Sequence, residues 1–223
     1  MADMASFREA VTAWAAGGPG DLARELAVQL PVRAAVLLEG LSDAAAISAL
    51  ATRRGRNLAA EGICVLPMGG AMNVGRYARF LGPSGLGLRL TGLCDEAERP
   101  YYARALEQTQ ATEQAQTTGP AQAPDHARAT RQEFFVCTAD LEDELIRALG
   151  VTQVEELIRV EGDLRPLQTF LRQPAQQGRT PQQQLRRFLG TKKGRKIRYG
   201  RLLTEALEPH RTPAPLDHLL TSL

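Results

Sequence analysis

The sequence predicts an α/β fold: a mainly parallel, Rossmann-like four-stranded sheet flanked by helices, with a helical segment before it and a helical extension after it. Three observations carry this reading. Four strand-length apolar runs alternate with helical patterns between Ala34 and Leu149. The first run is continuous rather than alternating, as in a strand covered on both faces. Three of the runs lead into acidic residues, which delivers carboxylates to one rim of the sheet, the rim where open α/β sheets bind ligands.

Residues 1–31 form the N-terminal helical segment. Ser6 to Leu30 carries a stripe of Phe7, Ala10, Val11 and Trp14, then a Gly17-Gly18-Pro19-Gly20 break, then Leu22, Leu26 and Leu30 every four residues. Such a stripe serves either the chain's own sheet, the usual destination of an amphipathic helix, or a homodimer. The α/β domain occupies residues 32–150. Ala34 to Leu38 is the first strand, and Ser42 to Arg54 an Ala-rich helix with Ser42 placed to cap it. Gly62 to Met68 is the second strand, Met72 to Leu81 the next helix, Leu86 to Cys94 the third strand and Arg99 to Gln108 the following helix. Residues 109–130 are rich in Gln, Thr, Ala and Pro without an apolar period, and read as a flexible insertion. Glu133 to Cys137 is the fourth strand and Leu141 to Leu149 its helix. Short turns between alternating elements imply right-handed crossovers and parallel strands. After Gly150 the strand signal stops. Residues 151–210 read as a basic helical extension with helices at Val151–Glu161, Leu164–Arg172, Pro181–Leu189 and Arg198–Leu207, and residues 211–223 as a loose tail.

At 223 residues the chain can build one substantial core, and no apolar run is long enough to span a bilayer. The first sixteen residues mix Asp3, Arg8 and Glu9 with apolar ones and lack the layout of a signal peptide. Cys64, Cys94 and Cys137 are odd in number, sit near strand ends, and show no ligand spacing. Free thiols in a reducing, cytoplasmic setting are the expectation. His126, His210 and His218 supply no recognisable ligand pair, which excludes a zinc site of ordinary pattern. The net charge of +2 conceals an asymmetry: Leu164 to Thr204 holds eleven Lys or Arg and no acid. An acidic body with a basic C-terminal segment suits a metal-dependent enzyme that acts on a polyanion.

The first acidic motif is Leu37-Leu38-Glu39-Gly40-Leu41-Ser42-Asp43. Asp43 by itself would be an ordinary helix-start acid, but Glu39 at a strand end has no capping role. The second is Leu93-Cys94-Asp95-Glu96-Ala97-Glu98, in which Asp95 closes a strand and either Glu96 or Glu98 accompanies it. The third is Asp140-Leu141-Glu142-Asp143-Glu144, from which one acid faces the site, Glu142 being the choice. Carboxylates gathered on one rim repel one another unless a cation neutralises them, and hard oxygen donors suit Mg²⁺ or Mn²⁺. Gly69-Gly70 before a helix is placed either to offer backbone N–H groups to a phosphate or to make a tight turn without a ligand. Arg186, Arg187, Lys192, Lys193, Arg195, Lys196 and Arg198 are the candidate nucleic-acid contacts, and Lys192, Lys193 or Lys196 could steady charge on a reacting phosphate. No Gly-rich loop ending in Lys-Ser or Lys-Thr occurs.

Together these motifs resemble the TOPRIM domain, and more narrowly its version in the OLD-family nucleases. Leu-Leu-Glu39-Gly-Leu-Ser-Asp43 is similar to the family's strand-one signature, Asp95-Glu96-Ala97-Glu98 stands at its Asp-x-Asp motif, Leu141-Glu142 at its Leu-Glu element, and Lys192-Lys193-Gly194-Arg195-Lys196 at its lysine region. The resemblance implies a TOPRIM-like fold and a Mg²⁺- or Mn²⁺-dependent endonuclease. In it Glu39, Asp43, Asp95, Glu98 and Glu142 would hold metal, and Glu39 with one of the three lysines would serve the chemistry. Two departures accompany it: Ala97 replaces the second Asp of the motif, with Glu98 one position later, and the thirty-odd residues before the motifs here read as helices where the family's ATPase domain is expected. The departures leave two other readings open. One is a catalytically degenerate module that binds nucleic acid or a partner protein, and the other a nucleotidyl-transfer enzyme. The expected partners are DNA or RNA and an ATPase acting in trans, without a membrane.

Overall fold

The computed structural model describes residues 2–116 and 133–223, with residues 109–116 described as helix backbone alone. Four parallel strands, β1 (Ala34–Leu38), β2 (Ile63–Pro67), β3 (Arg89–Asp95) and β4 (Glu133–Cys137), form one sheet in the order β2-β1-β3-β4. Val36 stands opposite Val65 on one side and Thr91 on the other, and Asp95 opposite Cys137. Alternate residues of β1 feed two cores. Ala34, Val36 and Leu38 face one, Ala35 and Leu37 the other, and all five are fully buried. This is the continuous apolar run that a doubly covered strand requires.

One face is covered by α1 (Met4–Ala15), α2 (Asp21–Gln29), α4 (Val74–Leu81) and α5 (Arg99–Gln116). Phe7, Ala10 and Val11 of α1 are buried there and Trp14 stacks on Phe80 at 4.0 Å, so the N-terminal stripe packs on the chain's own sheet. The opposite face carries α3 (Leu41–Arg53), α6 (Leu141–Leu149), α7 (Val151–Val160), α8 (Leu164–Leu171), α9 (Pro181–Gly190), α10 (Lys193–Ala206) and α11 (Ala214–Ser222). Among the described residues no helix is long and apolar enough to cross a membrane.

Three elements depart from the sequence expectation. Helix α5 runs on through Gln116, because Ala, Gln and Glu are good helix formers; the rest of the expected insertion, 117–130, lies outside the described residues. Helix α10 begins at Lys193 rather than Arg198, so the basic cluster rides on a helix. Residues 211–223, expected as a tail, contain α11. Its Leu216, Leu219 and Leu220 are buried, and Arg33, Arg56 and Arg89 donate to the carbonyls of Leu223, Leu220 and Ser222. Cations at these otherwise unpaired carbonyls complement the helix dipole. Leu219→Ala is therefore expected to cost about 2–4 kcal/mol in a denaturant melt, the range for a truncated core leucine. A loss within experimental error would mean that α11 is dispensable.

A candidate metal centre

The connection β1-α3-β2 steps to one side of β1 and β2-α4-β3 crosses back to its other side, so the strand order reverses between β1 and β3. A crevice opens beyond the strand ends at such a point, and it is the natural ligand site of an open α/β sheet. Glu39 follows β1 and Asp95 ends β3. Glu98 comes from a 3₁₀ turn, Glu96–Glu98, directly after Asp95. On a 3₁₀ turn, side chains three apart eclipse one another. That spacing carries Glu98, and not residue 97, to the same side as Asp95, while Glu96 points to an exposed pair with Arg99. Carboxylate oxygens of Glu39, Asp95 and Glu98 lie within 4.8 Å of one another.

The turn that presents Glu39 is locked from below. Gly69 and Gly70 both donate their backbone N–H groups to the Glu39 carbonyl, each at 3.0 Å. Their positive φ angles of 74° and 131° are what let two successive amides converge on one oxygen. Of the two readings of Gly69-Gly70, a phosphate cradle or a tight turn without a ligand, this geometry favours the turn: both donors are engaged, and they fix Glu39. Gly40, by contrast, is extended (φ −141°), and a side chain there would meet only Asp43 Oδ2 at 3.7 Å. The predicted cap Ser42 is inside α3; Asp43 takes the helix-start role, its Oδ2 accepting the Gly40 N–H at 2.8 Å.

Asp43 and Glu142 form a second acidic group around Lys196. Glu142 is buried, its Oε2 lies 3.4 Å from Lys196 Nζ, and its Oε1 has no hydrogen-bond partner among the described residues. Glu142 thus stands outside the cluster of Glu39, Asp95 and Glu98. Helix α10 reaches this position because Gly200 lets it pack directly on α3: a Cβ at Gly200 would meet the Ser42 carbonyl oxygen at 2.7 Å.

Charge on these acids is held back chiefly by burial. Burial pushes Asp95 up to about 8, with Asp140, Glu98 and Glu39 adding repulsion. Burial followed by Glu39 raises Glu98. Burial raises Glu142 to about 7 against the pull of Lys196. Burial also raises Asp43. Lys196 is itself partly desolvated, yet Glu142, Asp43 and Glu39 hold its pKa above the ordinary lysine value. Carboxylates kept from ionising by burial, and further by one another, are what a divalent cation relieves. The buried Glu98 Oε2, without a hydrogen-bond partner among the described residues, is a donor atom of the right kind. The residues therefore fit a hard divalent ion.

Asp140 is the residue that sequence reasoning passed over. It caps α6 by accepting the Asp143 N–H at 2.8 Å, pairs with Arg186 at 2.6 Å, and adds to the repulsion on Asp95. Its place three residues after Cys137, just beyond the end of the fourth strand, was the signal available in the sequence. Arg195 and Arg198 are engaged by Asp163, and Arg198 also by Glu161. Arg187, Lys192 and Lys193 are exposed, and none of them has an ion-pair partner among the described residues.

Residues 32–96 match the family model of the overcoming lysogenization defect (OLD) protein-like TOPRIM domain. The chain carries an OLD-like TOPRIM domain. Among solved structures, its fold is shared with the C-terminal region of the Burkholderia pseudomallei OLD protein, at a TM-score of 0.57 and 20% identity over 86% of this chain and 96% of that one. The C-terminal region of the Xanthomonas campestris pv. campestris OLD protein gives a TM-score of 0.57 and 24% identity over 85% and 93%. Comparison with curated proteins finds no match. The TOPRIM match spans the segment that carries Glu39, Asp43 and Asp95. In this TOPRIM domain the position of Ala97 is vacated by the geometry of the turn, and Glu98 fills the cluster.

Proposed function

We propose that this TOPRIM domain is a Mg²⁺- or Mn²⁺-dependent nuclease that hydrolyses phosphodiester bonds in DNA. The observation that carries the reading is the convergence of Glu39, Asp95 and Glu98 within 4.8 Å at the sheet's switch point, beside an ammonium group that points into the same crevice's acidic wall. When bound, a divalent ion supplies polarisation of the phosphate and a more acidic water. Glu39, Asp95 and Glu98 would hold the ion, with Asp43 and Glu142 supporting from the α3–α6 side. Because burial raises Asp95 to about 8, holding the ion there would go with loss of its carboxyl proton to solvent. Lys196, held charged by Glu142 and Asp43, is placed to steady negative charge on the phosphate as the bond breaks. Lys192, Lys193 and Arg187, exposed at the ends of α9 and α10, would contact flanking phosphates. The Arg186 guanidinium, tied to Asp140, positions rather than binds.

The test is nicking of supercoiled plasmid in Mg²⁺, in Mn²⁺ and in EDTA, with single-stranded DNA and RNA as parallel substrates. Cutting is expected with either metal and is expected to stop on chelation. Cutting that persists in EDTA would refute a metal site. Salt-sensitive DNA binding with no cutting in any metal would leave a binding module instead.

A further inference from the structure

A shallow concavity of about 320 Å³ lies on the outer face of α1, α2 and α4, away from the carboxylates and outside the basic C-terminal segment. Trp14, Arg24, Arg76, Arg79, Phe80 and Ser84 line it, and no acid does. The three guanidinium groups are exposed, and two are held in place by the stacked aromatic pair beneath them. Arg24 lies over the Phe80 ring at 5.1 Å and Arg76 over Trp14 at 4.6 Å. Arg76 is further fixed by donating to the carbonyls of Trp14 and Ala15 at 2.9 and 2.8 Å. Neither Arg24 nor Arg79 has an ion-pair partner among the described residues. Three like charges gathered without a counter-charge repel one another, and the ligand that relieves this is an anion matched to guanidinium, a phosphate. Pinning the donors beforehand lowers the ordering cost of binding.

We propose that this arginine cluster on an aromatic platform is a phosphate-binding exosite for the nucleic-acid strand that flanks the scissile bond. Its occupant rests on the nuclease reading; its chemistry does not. The last turn of α1 separates it from a larger cleft of about 660 Å³, which Ala16 lines together with Gly40, Gly69 and Lys193 beside Glu39. A strand leaving the carboxylates past Lys193 crosses that turn and meets Arg76, then Arg24 and Arg79. Phosphate contacts of this kind set register and orientation without reading sequence.

Trp14 is the chain's single tryptophan, so its emission reports on this concavity alone. Titration with a single-stranded DNA oligonucleotide in EDTA, where no cutting is proposed to occur, is expected to change that emission. The Arg24→Gln/Arg79→Gln variant, substituted at exposed positions, is expected to bind roughly tenfold more weakly and to lower the slope of log affinity against log salt by about 1.4, the value for two lost phosphate contacts on a single strand. Unchanged affinity and slope in a variant that melts like wild type would overturn the exosite. So would a Trp14 response to anionic phospholipid vesicles or a phosphorylated peptide with none to the oligonucleotide. Should the variant fail to fold, a wild-type emission that ignores the oligonucleotide overturns it equally. A wild type that responds through Trp14 yet cuts no DNA in Mn²⁺ would sink the nuclease reading and leave the exosite standing; cutting without any Trp14 response does the reverse.

Discussion

Asp95→Asn is expected to lower metal-dependent DNA cutting by a factor on the order of 10³ while making the metal-free protein more stable at pH 8 than the wild type. The loss follows from geometry. Asp95 sits between Glu39 and Glu98 as the acid at the end of β3, and an amide keeps the shape but not the charge that attracts the ion. The gain follows from linkage. The folded chain raises the Asp95 pKa from 3.8 to about 8, mainly by burial and then by Asp140, Glu98 and Glu39. The native state therefore holds this proton more tightly than the unfolded state, and stability declines as pH rises from about 4 towards 8. Asparagine has no proton to lose. The melting-temperature difference between variant and wild type in EDTA should be small at pH 4 and should grow to pH 8. Adding Mn²⁺ should then reverse the order, by stabilising the wild type and leaving the variant where it was. A variant that cuts at the wild-type rate, or a difference that shrinks as pH rises, would contradict a shared carboxylate site.

Gly92→Ala is expected to be the most damaging single-methyl addition in the sheet, costing about 3 kcal/mol or more and lowering the melting temperature by roughly 6–12 °C. Gly92 lies mid-strand in β3, paired with Leu37 on one side and Phe134 on the other. A Cβ there would stand 1.9 Å from the Leu37 carbonyl oxygen and 3.1 Å from the Phe134 ring. The first neighbour is backbone of a fully buried strand, and it cannot swing aside as a side chain could. Relief means moving β3 away from β1, and those two strands carry Asp95 and Glu39. Cutting should fall along with stability, and should not recover at low temperature where the variant is folded. A melting temperature within a degree or two of wild type would show that the sheet yields locally and that the β1–β3 spacing is not critical.

Strand placement was legible because each strand is a short apolar run with polar punctuation on both sides. Ala34–Leu38 and Glu133–Cys137 have the observed limits, and the neighbouring strands differ by a few residues at their ends. The tail was misread although Leu216, Leu219, Leu220 and Leu223 follow helical spacing, because short terminal segments acquire structure only from what they dock on. Glu39 and Asp95 could be named from sequence, since strand ends bring residues to a known rim. The parts of Glu98 and Glu142 were not legible there: a 3₁₀ turn brings Glu98 into the cluster with Glu39 and Asp95, while Glu142 stands outside it against Lys196 of α10. Gly69-Gly70 reads alike whether its amides face a ligand or the chain itself, and only the Glu39 carbonyl distinguishes the two.

By itself, then, the order of apolar runs and acids determined a parallel α/β sheet with carboxylates along one edge, because strand period and strand-end placement are local properties of the chain. Which acids meet, which arginines are tied to Asp140 and Asp163, and which remain open on the Trp14–Phe80 platform were decided by tertiary packing. Those pairings join residues far apart in sequence. Their geometry depends on helix positions set by contacts such as Gly200 against Ser42, which no local pattern encodes.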